Sequence, residues 1–476
     1  MPRSRTTSPD RRSGEGASVD LFMELGDARR RRGLERQLRT GVQSGRLAPG
    51  LLLPSSRALA RDLGISRGAV VEAYDQLAAE GYLRTRQGSG TRVAARPAPS
   101  PSPALAPLAP TAAQVDLQPG SPDLTTFPRE QWITALRRAL RSAPAGRFGY
   151  GDPRGDLDVR ETLARYVGRA RGVVASAETI VVVDGFLRGL NLWASVARRQ
   201  GTRHVGVEDP SLPLHREVLR SAGLEVHPIP VDELGIDVER LAATPATAVL
   251  VTPAHQFPRG VPLAPRRRAA LMRWAESRHA QIVEDDYDGE FRYDRTPVGA
   301  LQGLDPSRIV YGGTTSKSLA PGVRLAWLAV LPRLLADLCA ERLLAERQPP
   351  ALDQLALGEL IDSAVYDRHV RRMRATYRRR RDRLVALLRE RVPAVEVSGI
   401  AAGLHAVVRL PPGTDEARVV SALAGRSIAV DGEGRFRAGA SGPPALVVGY
   451  GTPPEHAVDG ALVTFVDALA ETLRRS

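Results

Sequence analysis

Lysine is almost missing from this chain. Of its 67 lysine and arginine residues, 66 are Arg, and the only lysine is Lys317. Arg replaces Lys in nearly every surface role. A guanidinium, however, does not readily deprotonate to a nucleophilic amine and does not condense with an aldehyde. A lone lysine in an Arg-saturated chain is therefore a candidate for amine chemistry, against the plainer alternative of one surface lysine surviving by chance. Cysteine is equally scarce: Cys339 stands alone, which excludes an internal disulfide and fits a reducing compartment. There is no run of 18 apolar residues and no secretory apolar segment at the N-terminus. The sequence thus argues for neither a membrane span nor export, and the expectation is a cytoplasmic protein.

What is present is length and positive charge. At 476 residues, the chain exceeds the roughly 250–300 residues at which a single core stops growing, so two or more domains are expected. The formal charge is +14, which suggests a polyanionic partner. Residues 1–92 hold 17 Arg against 10 Asp or Glu. About half of the net charge is thereby concentrated in a fifth of the chain, as a nucleic-acid-binding head requires.

Residues 1–18 are rich in Arg, Ser and Gly without periodicity and read as a disordered arm. Residues 19–93 are compact and largely helical. A Pro/Ala-rich linker follows over 94–114; its prolines deny both helix and central strand. Residues 115–476 alternate short β-branched runs with amphipathic stretches. Strands are predicted at 179–183, 204–207, 247–252, 281–285, 308–313 and 325–331. Helices are predicted at 186–199 and 265–278, with a long Arg-studded helix over 367–391 and a smaller α+β portion after it. This alternation is the signature of a mostly parallel sheet with crossover helices. No internal repeat and no metal-ligand set is read.

In LPSSRALARDLGISRGAVVEAYDQLAAEGYLRTRQGSGTRV (53–93), Ser55 or Ser56 caps a helix that Gly64 ends. Ser66 then caps a second helix whose Val70, Tyr74 and Leu77 recur at helical spacing. An alternating hairpin closes the unit. This segment resembles the GntR-type winged helix-turn-helix, an α+β module, with a further helix near 29–46. The resemblance implies a double-stranded DNA operator as partner. Arg57, Ser66, Arg67 and Gly68 would approach it, with Gln87 and Gly88 at the wing tip, and Arg67 best placed to fork onto a guanine edge or a phosphate. Val71 departs from the pattern, standing where some relatives carry a base-contacting Arg.

Lys317 lies in GGTTSKSLAPGVRLAW (312–327), directly after a predicted strand, among the hydroxyls of Thr314, Ser316 and Ser318 and seven residues before Arg324. Hydroxyls at a strand end with an Arg make a phosphate cradle. Upstream, an apolar run feeds EDDYDGEF (284–291). There a buried carboxylate, Asp285, would keep a pyridine nitrogen protonated, and Tyr287, on the same face, would donate to a ring oxygen. With FGYGDPRGDLDVR (148–160), VDGFLRGL (183–190), VEDPSLPLHREVLR (207–220) and VTPAHQFPRGVPL (251–263), these motifs resemble the α/β fold-type I aminotransferases. Joined to the head, the chain is similar over nearly its full length to the MocR/GabR-type transcriptional regulators.

That resemblance implies pyridoxal 5'-phosphate (PLP) as cofactor, held by Lys317 as a Schiff base. Asp285 would meet the ring nitrogen and Tyr287 the ring hydroxyl. Gly185, Phe186, Ser316 and Arg324 would meet the phosphate, with Thr314 beside them, His255 would lie in the segment lining the ring, and Tyr150 would reach in from the second subunit of a head-to-tail homodimer. It implies a DNA-binding regulator in which PLP, or its adduct with a small amine or amino acid, modulates operator binding and controls PLP synthesis or amine metabolism. The competing readings are an active aminotransferase with an accessory head, and an architectural DNA-binding protein whose body only dimerises. Two departures bear on the choice. Leu212 stands where most relatives place a ring-stacking Tyr, and Val447 where a substrate-carboxylate Arg is usual, with Arg435 or Arg437 as possible substitutes.

Overall fold

The computed structural model describes residues 30–86, 89–94, 113–293, 298–439 and 442–475. The arm at 1–18, most of the predicted linker, and Gln87 and Gly88 lie outside the described residues. The chain divides into two compact units, residues 1–109 and 110–476.

The first unit is three helices and a hairpin: α1 (Arg30–Gln43), α2 (Ser56–Leu63), α3 (Arg67–Ala79), β1 (Leu83–Arg86) and β2 (Gly90–Val93). Local chemistry sets the breaks. The Ser55 hydroxyl accepts from the Ala58 amide at 3.2 Å and the Ser66 hydroxyl from the Ala69 amide at 3.2 Å, so each of α2 and α3 begins on a satisfied donor. Between them Gly64 takes the left-handed conformation, φ 63°, that a side chain resists. Leu34, Leu38, Leu59, Val70, Tyr74, Leu77, Leu83 and Val93 form one buried core, and the Tyr74 hydroxyl donates to the Pro54 carbonyl.

The second unit is built on an eight-stranded sheet. Its strands are β4 (Ile180–Val183), β5 (His204–Asp209), β6 (Glu225–Asp232), β7 (Gly235–Ile236), β8 (Ala248–Val251), β9 (Gln281–Asp286), β10 (Ile309–Thr314) and β11 (Ala326–Ala329). They lie in the order β4-β11-β10-β9-β8-β5-β6-β7. Strands β10, β9, β8, β5 and β6 pair in parallel, whereas β11 runs antiparallel to both neighbours. Apolar residues on the two faces of these strands pack against crossover helices as separate cores.

Short β3 (Val115–Asp116) pairs with β14 (Ile428–Ala429). Strands β12 (Glu396–Ser398), β13 (His405–Arg409), β15 (Asp431–Gly432) and β16 (Ala445–Gly449) form a second sheet, in the order β12-β13-β16-β15. It packs with the helices Val365–Arg391 and Val458–Arg474 around another core. Among the described residues, no helix is long and apolar enough to cross a membrane.

Strand β6 has no counterpart among the predicted strands, because EVHPIPVD carries two prolines. The structure shows how it tolerates them. The Glu225 amide donates to the Arg203 carbonyl on the β5 side, so by the period of two Pro228 and Pro230 would have donated outward, toward the sheet edge, where a missing N–H is least costly.

Candidate functional site

The carboxyl ends of β5, β8, β9 and β10, the start of the helix Phe186–Arg199 and the second sheet enclose a cavity of about 640 Å³. Gly185, Phe186, Asp285, Tyr287, Thr314, Ser316, Lys317 and Arg324 all line it. Eight residues singled out from sequence, spread over 140 positions, thus converge on one volume. His255 stands one layer back, stacked on Tyr287 with centroids 6.3 Å apart. It accepts from or donates to the Tyr287 hydroxyl at 3.1 Å and meets Asp288 at 2.7 Å. Tyr150 is away from this cavity and 81% exposed, its ring 3.8 Å from the Arg347 guanidinium.

The acidic run on β9 resolves into distinct roles. Glu284 accepts from the Leu301 and Gln302 amides, and Asp286 is held by Arg171 and by the Tyr311 hydroxyl. Asp285, on the opposite face from both, points into the cavity, and among the described residues its buried Oδ1 has no hydrogen-bond partner. Its Oδ2 lies 3.5 Å from His215 Nε2. Burial, aided by Asp286 and opposed by Lys317, holds the Asp285 carboxyl well above the usual carboxylate range. Burial likewise pushes His215 down to about 4, so this ring is neutral and brings no counter-charge. Leaving a buried carboxylate oxygen unsatisfied costs about 1–3 kcal/mol or more. The geometry therefore asks for a cationic N–H donor supplied from within the cavity.

Lys317 answers from another wall. Its Nζ donates to the Gly120 carbonyl. Burial lowers its pKa from the ordinary lysine value, while Asp285 and Asp288 pull the other way, so the nucleophilic free amine is reached at lower pH than for a surface lysine. A third wall suits a phosphate. Gly185 opens the helix Phe186–Arg199 with φ 90° and no side-chain cap, leaving amide donors at a helix N-terminus. A Cβ there would lie 3.1 Å from the Arg324 guanidinium. Arg324 donates to the Asp184 carbonyl, and the Thr314 and Ser316 hydroxyls are 2.9 Å apart beside it. An amine, an orphaned carboxylate and an anion cradle are thus set around one space, as PLP requires.

Several lining residues were not singled out from sequence. Glu208, His215 and Thr252 line the pocket from within the motifs at 207–220 and 251–263, where no role was assigned to them, and Asp431 and Phe436 line it from a stretch that carries no motif. Leu212 lines the cavity at the entry to the helix Pro213–Ser221. Val447 is fully buried on β16, opposite Val407 and Asp431. Arg435 lines the cavity and is paired with Asp431 at 2.6 Å, whereas Arg437 is paired with Glu433.

In the first unit, Arg57, Ser66, Arg67 and Gly68 are all exposed at the starts of α2 and α3. Among the described residues, neither Arg57 nor Arg67 has an ion-pair partner. A Cβ on Gly68 would meet nothing within 4 Å, so packing inside the unit does not call for glycine there. The hairpin sets exposed Arg84 directly opposite exposed Arg92. Like charges facing each other across a ladder repel, and a phosphate between them would remove that cost. Val71 is 37% exposed on the same helix.

The three-helix unit with its hairpin and the sheet unit with its cavity together define a DNA-binding head carried on an aminotransferase-type body. Residues 113–447 match the aminotransferase class I and II family, and residues 30–93 match the bacterial regulatory proteins of the gntR family. The chain belongs to the regulators that combine the two, the MocR/GabR-type transcriptional regulators. It is 34% identical over 449 residues to the HTH-type pyridoxine biosynthesis transcriptional regulator PdxR of Corynebacterium glutamicum, covering 92% of this chain and 95% of that one. To the probable rhizopine catabolism regulatory protein MocR of Rhizobium meliloti it is 32% identical, covering 83% and 85%. An archaeal alanine:glyoxylate aminotransferase shares the body fold, with a TM-score of 0.69 at 22% identity over 76% of this chain and 91% of that one. The protein is a DNA-binding transcriptional regulator with a body of a PLP-dependent fold family.

Proposed function

We propose that the body binds PLP at Lys317 and that this occupancy alters operator binding by the head, so that the protein responds to PLP itself. The observation that carries the reading is the buried, unpartnered Oδ1 of Asp285 in the same cavity as the only lysine of the chain. PLP supplies an aldehyde, a basic ring nitrogen that withdraws electrons once protonated, and a dianionic phosphate. Asp285 would hold the proton on that nitrogen, and its own ionisation would be restored by the charge it receives. Tyr287, oriented by His255 and Asp288, would donate to the ring oxygen. Phe186 and Gly185 amides, Ser316, Thr314 and Arg324 would bind the phosphate, and Leu212 would pack on the ring less broadly than an aromatic would.

Two further elements belong to the proposal. Tyr150 shares an exposed surface with Phe148 and Arg347, as a residue completing the site of a second copy in a head-to-tail homodimer would. In the head, Arg57, Ser66, Arg67 and Gly68 would approach the operator, and residues 94–114 would tether it.

Transamination as the main task is disfavoured by the charges available near the cavity, which Val447 does not line. Val447 offers no charge, and the Arg435 guanidinium is already paired with Asp431. A substrate carboxylate would thus lack an anchor worth about 1.5–3 kcal/mol. The relative from Corynebacterium, a regulator of pyridoxine biosynthesis by name, supports PLP as the signal over a separate amine. The test is the affinity of the full chain for a duplex selected in vitro against it, with and without PLP and with amines added. A shift on PLP alone is expected. Affinity indifferent to PLP but changed by a particular amine would overturn the reading.

A further inference from the structure

A second convergence of ligating side chains lies at the other end of the strands that form the cavity. Parallel pairing of β5 and β6 sets His204 opposite Glu225 and Gly206 opposite His227. Because successive side chains alternate across a sheet, His204, Glu225 and His227 share one face at the amino ends of these strands. His204 Nδ1 and His227 Nε2 are 3.1 Å apart. The Glu225 carboxylate places one oxygen 3.4 Å from His204 Nδ1 and the other 3.7 Å from His227 Nε2.

These separations are those of a metal's ligands. A tetrahedral Zn²⁺ with bonds of about 2.0–2.1 Å keeps its donor atoms about 3.3–3.4 Å apart. The two ring nitrogens thus stand within a few tenths of an ångström of one such edge, each carboxylate oxygen faces one ring nitrogen at a similar separation, and one donor from each residue lies within 4.8 Å of the other two. Two imidazoles and one carboxylate suit Zn²⁺ and its transition-metal neighbours over Mg²⁺ or Ca²⁺, which take oxygen sets. Neither ring has another side-chain or backbone hydrogen bond among the described residues. Glu225 is 66% exposed, which gives a hydrated ion an entry path and leaves a fourth position to water.

We propose that His204, Glu225 and His227 form a site for a divalent transition ion of the Zn²⁺ class, separate from the PLP cavity. The test uses the full chain without a polyhistidine tag, stripped with chelator and titrated with Co²⁺, whose tetrahedral complexes absorb strongly in the visible. One equivalent should bind with a tetrahedral spectrum that Zn²⁺ displaces. His204→Gln and His227→Gln should each abolish that spectrum while keeping the circular dichroism and thermal melt of the parent. Glu225→Gln should weaken Co²⁺ roughly tenfold or more. A tetrahedral spectrum that persists in the double His variant, or that is absent from the folded parent, would show only a hydrogen bond between the two rings and overturn the proposal.

Discussion

Asp285 and Lys317 are each held, by burial, away from their charged forms. That cost gives Asp285→Asn a two-sided signature. Without PLP the variant should melt at a higher temperature than the parent, because a buried carboxyl lacking a partner has become neutral. With PLP it should bind about 1.5–3 kcal/mol more weakly, for want of a charge-assisted hydrogen bond to the ring nitrogen. Calorimetric melts with and without PLP, with a PLP titration, check both signs; an unchanged PLP affinity would remove Asp285 from the site. Arg324→Ala should weaken PLP binding and leave pyridoxal, which has no phosphate, bound as before. Parallel titrations with the two compounds read that difference, and equal losses for both would argue against a phosphate role.

Among the elements, helix α3 is the one proposed to meet the operator. Gly68 has open space where a Cβ would go, so Gly68→Ala should leave the head as stable or more stable, by up to about 1 kcal/mol from helix propensity. Its expected loss is in DNA affinity, where a methyl blocks close approach of the backbone. Arg84→Ala, on the hairpin, should weaken binding to all sequences alike and reduce the salt slope by about 1. Fluorescence anisotropy over a salt series measures both.

The legibility of the elements varied for physical reasons. The helix caps at Ser55, Gly64 and Ser66 were plain because capping is local chemistry. The strand ends bearing Asp285 and Lys317 were plain because a β-branched run feeds each. Strand β6 was hidden, since it lies next to last in its sheet and its prolines face away from β5, which reverses the usual meaning of Pro. His215 and Asp431 were hidden for another reason. They reach the cavity only through packing of a helix start and of a second sheet, and neither sits in a periodicity that marks it. Segregation of Glu284, Asp285 and Asp286 into one cavity residue and two structural ones follows from strand alternation, yet which face met the cavity depended on the fold.

Across the whole molecule, buried ionisable groups set a stability optimum for the body. Burial raises Glu208, Glu284 and Glu290 to about 7, well above an unfolded glutamate. Their penalty is absent below the unfolded glutamate value, grows from there as pH rises, and is complete once pH has passed about 7. Between about pH 6 and pH 8 each should cost about 1 kcal/mol. His215 and His405 are pushed down to about 4. Their penalty is absent above the unfolded histidine value and grows as pH falls below it. The body without PLP should therefore melt highest near about pH 5 and lose stability on both sides, as differential scanning calorimetry from about pH 4 to pH 8 would show. A melting temperature that climbs steadily to pH 8 would contradict this assignment.

PLP binding by this body rests on one amine. The most direct measurement is borohydride reduction of the PLP-treated full chain, followed by peptide mapping and by operator binding of the Lys317→Ala variant. A stable pyridoxyl label is expected on the peptide containing Lys317. The variant should lose its visible absorbance and its response to PLP, and still bind DNA. A Lys317→Ala protein that remained yellow and kept its PLP response would contradict this reading.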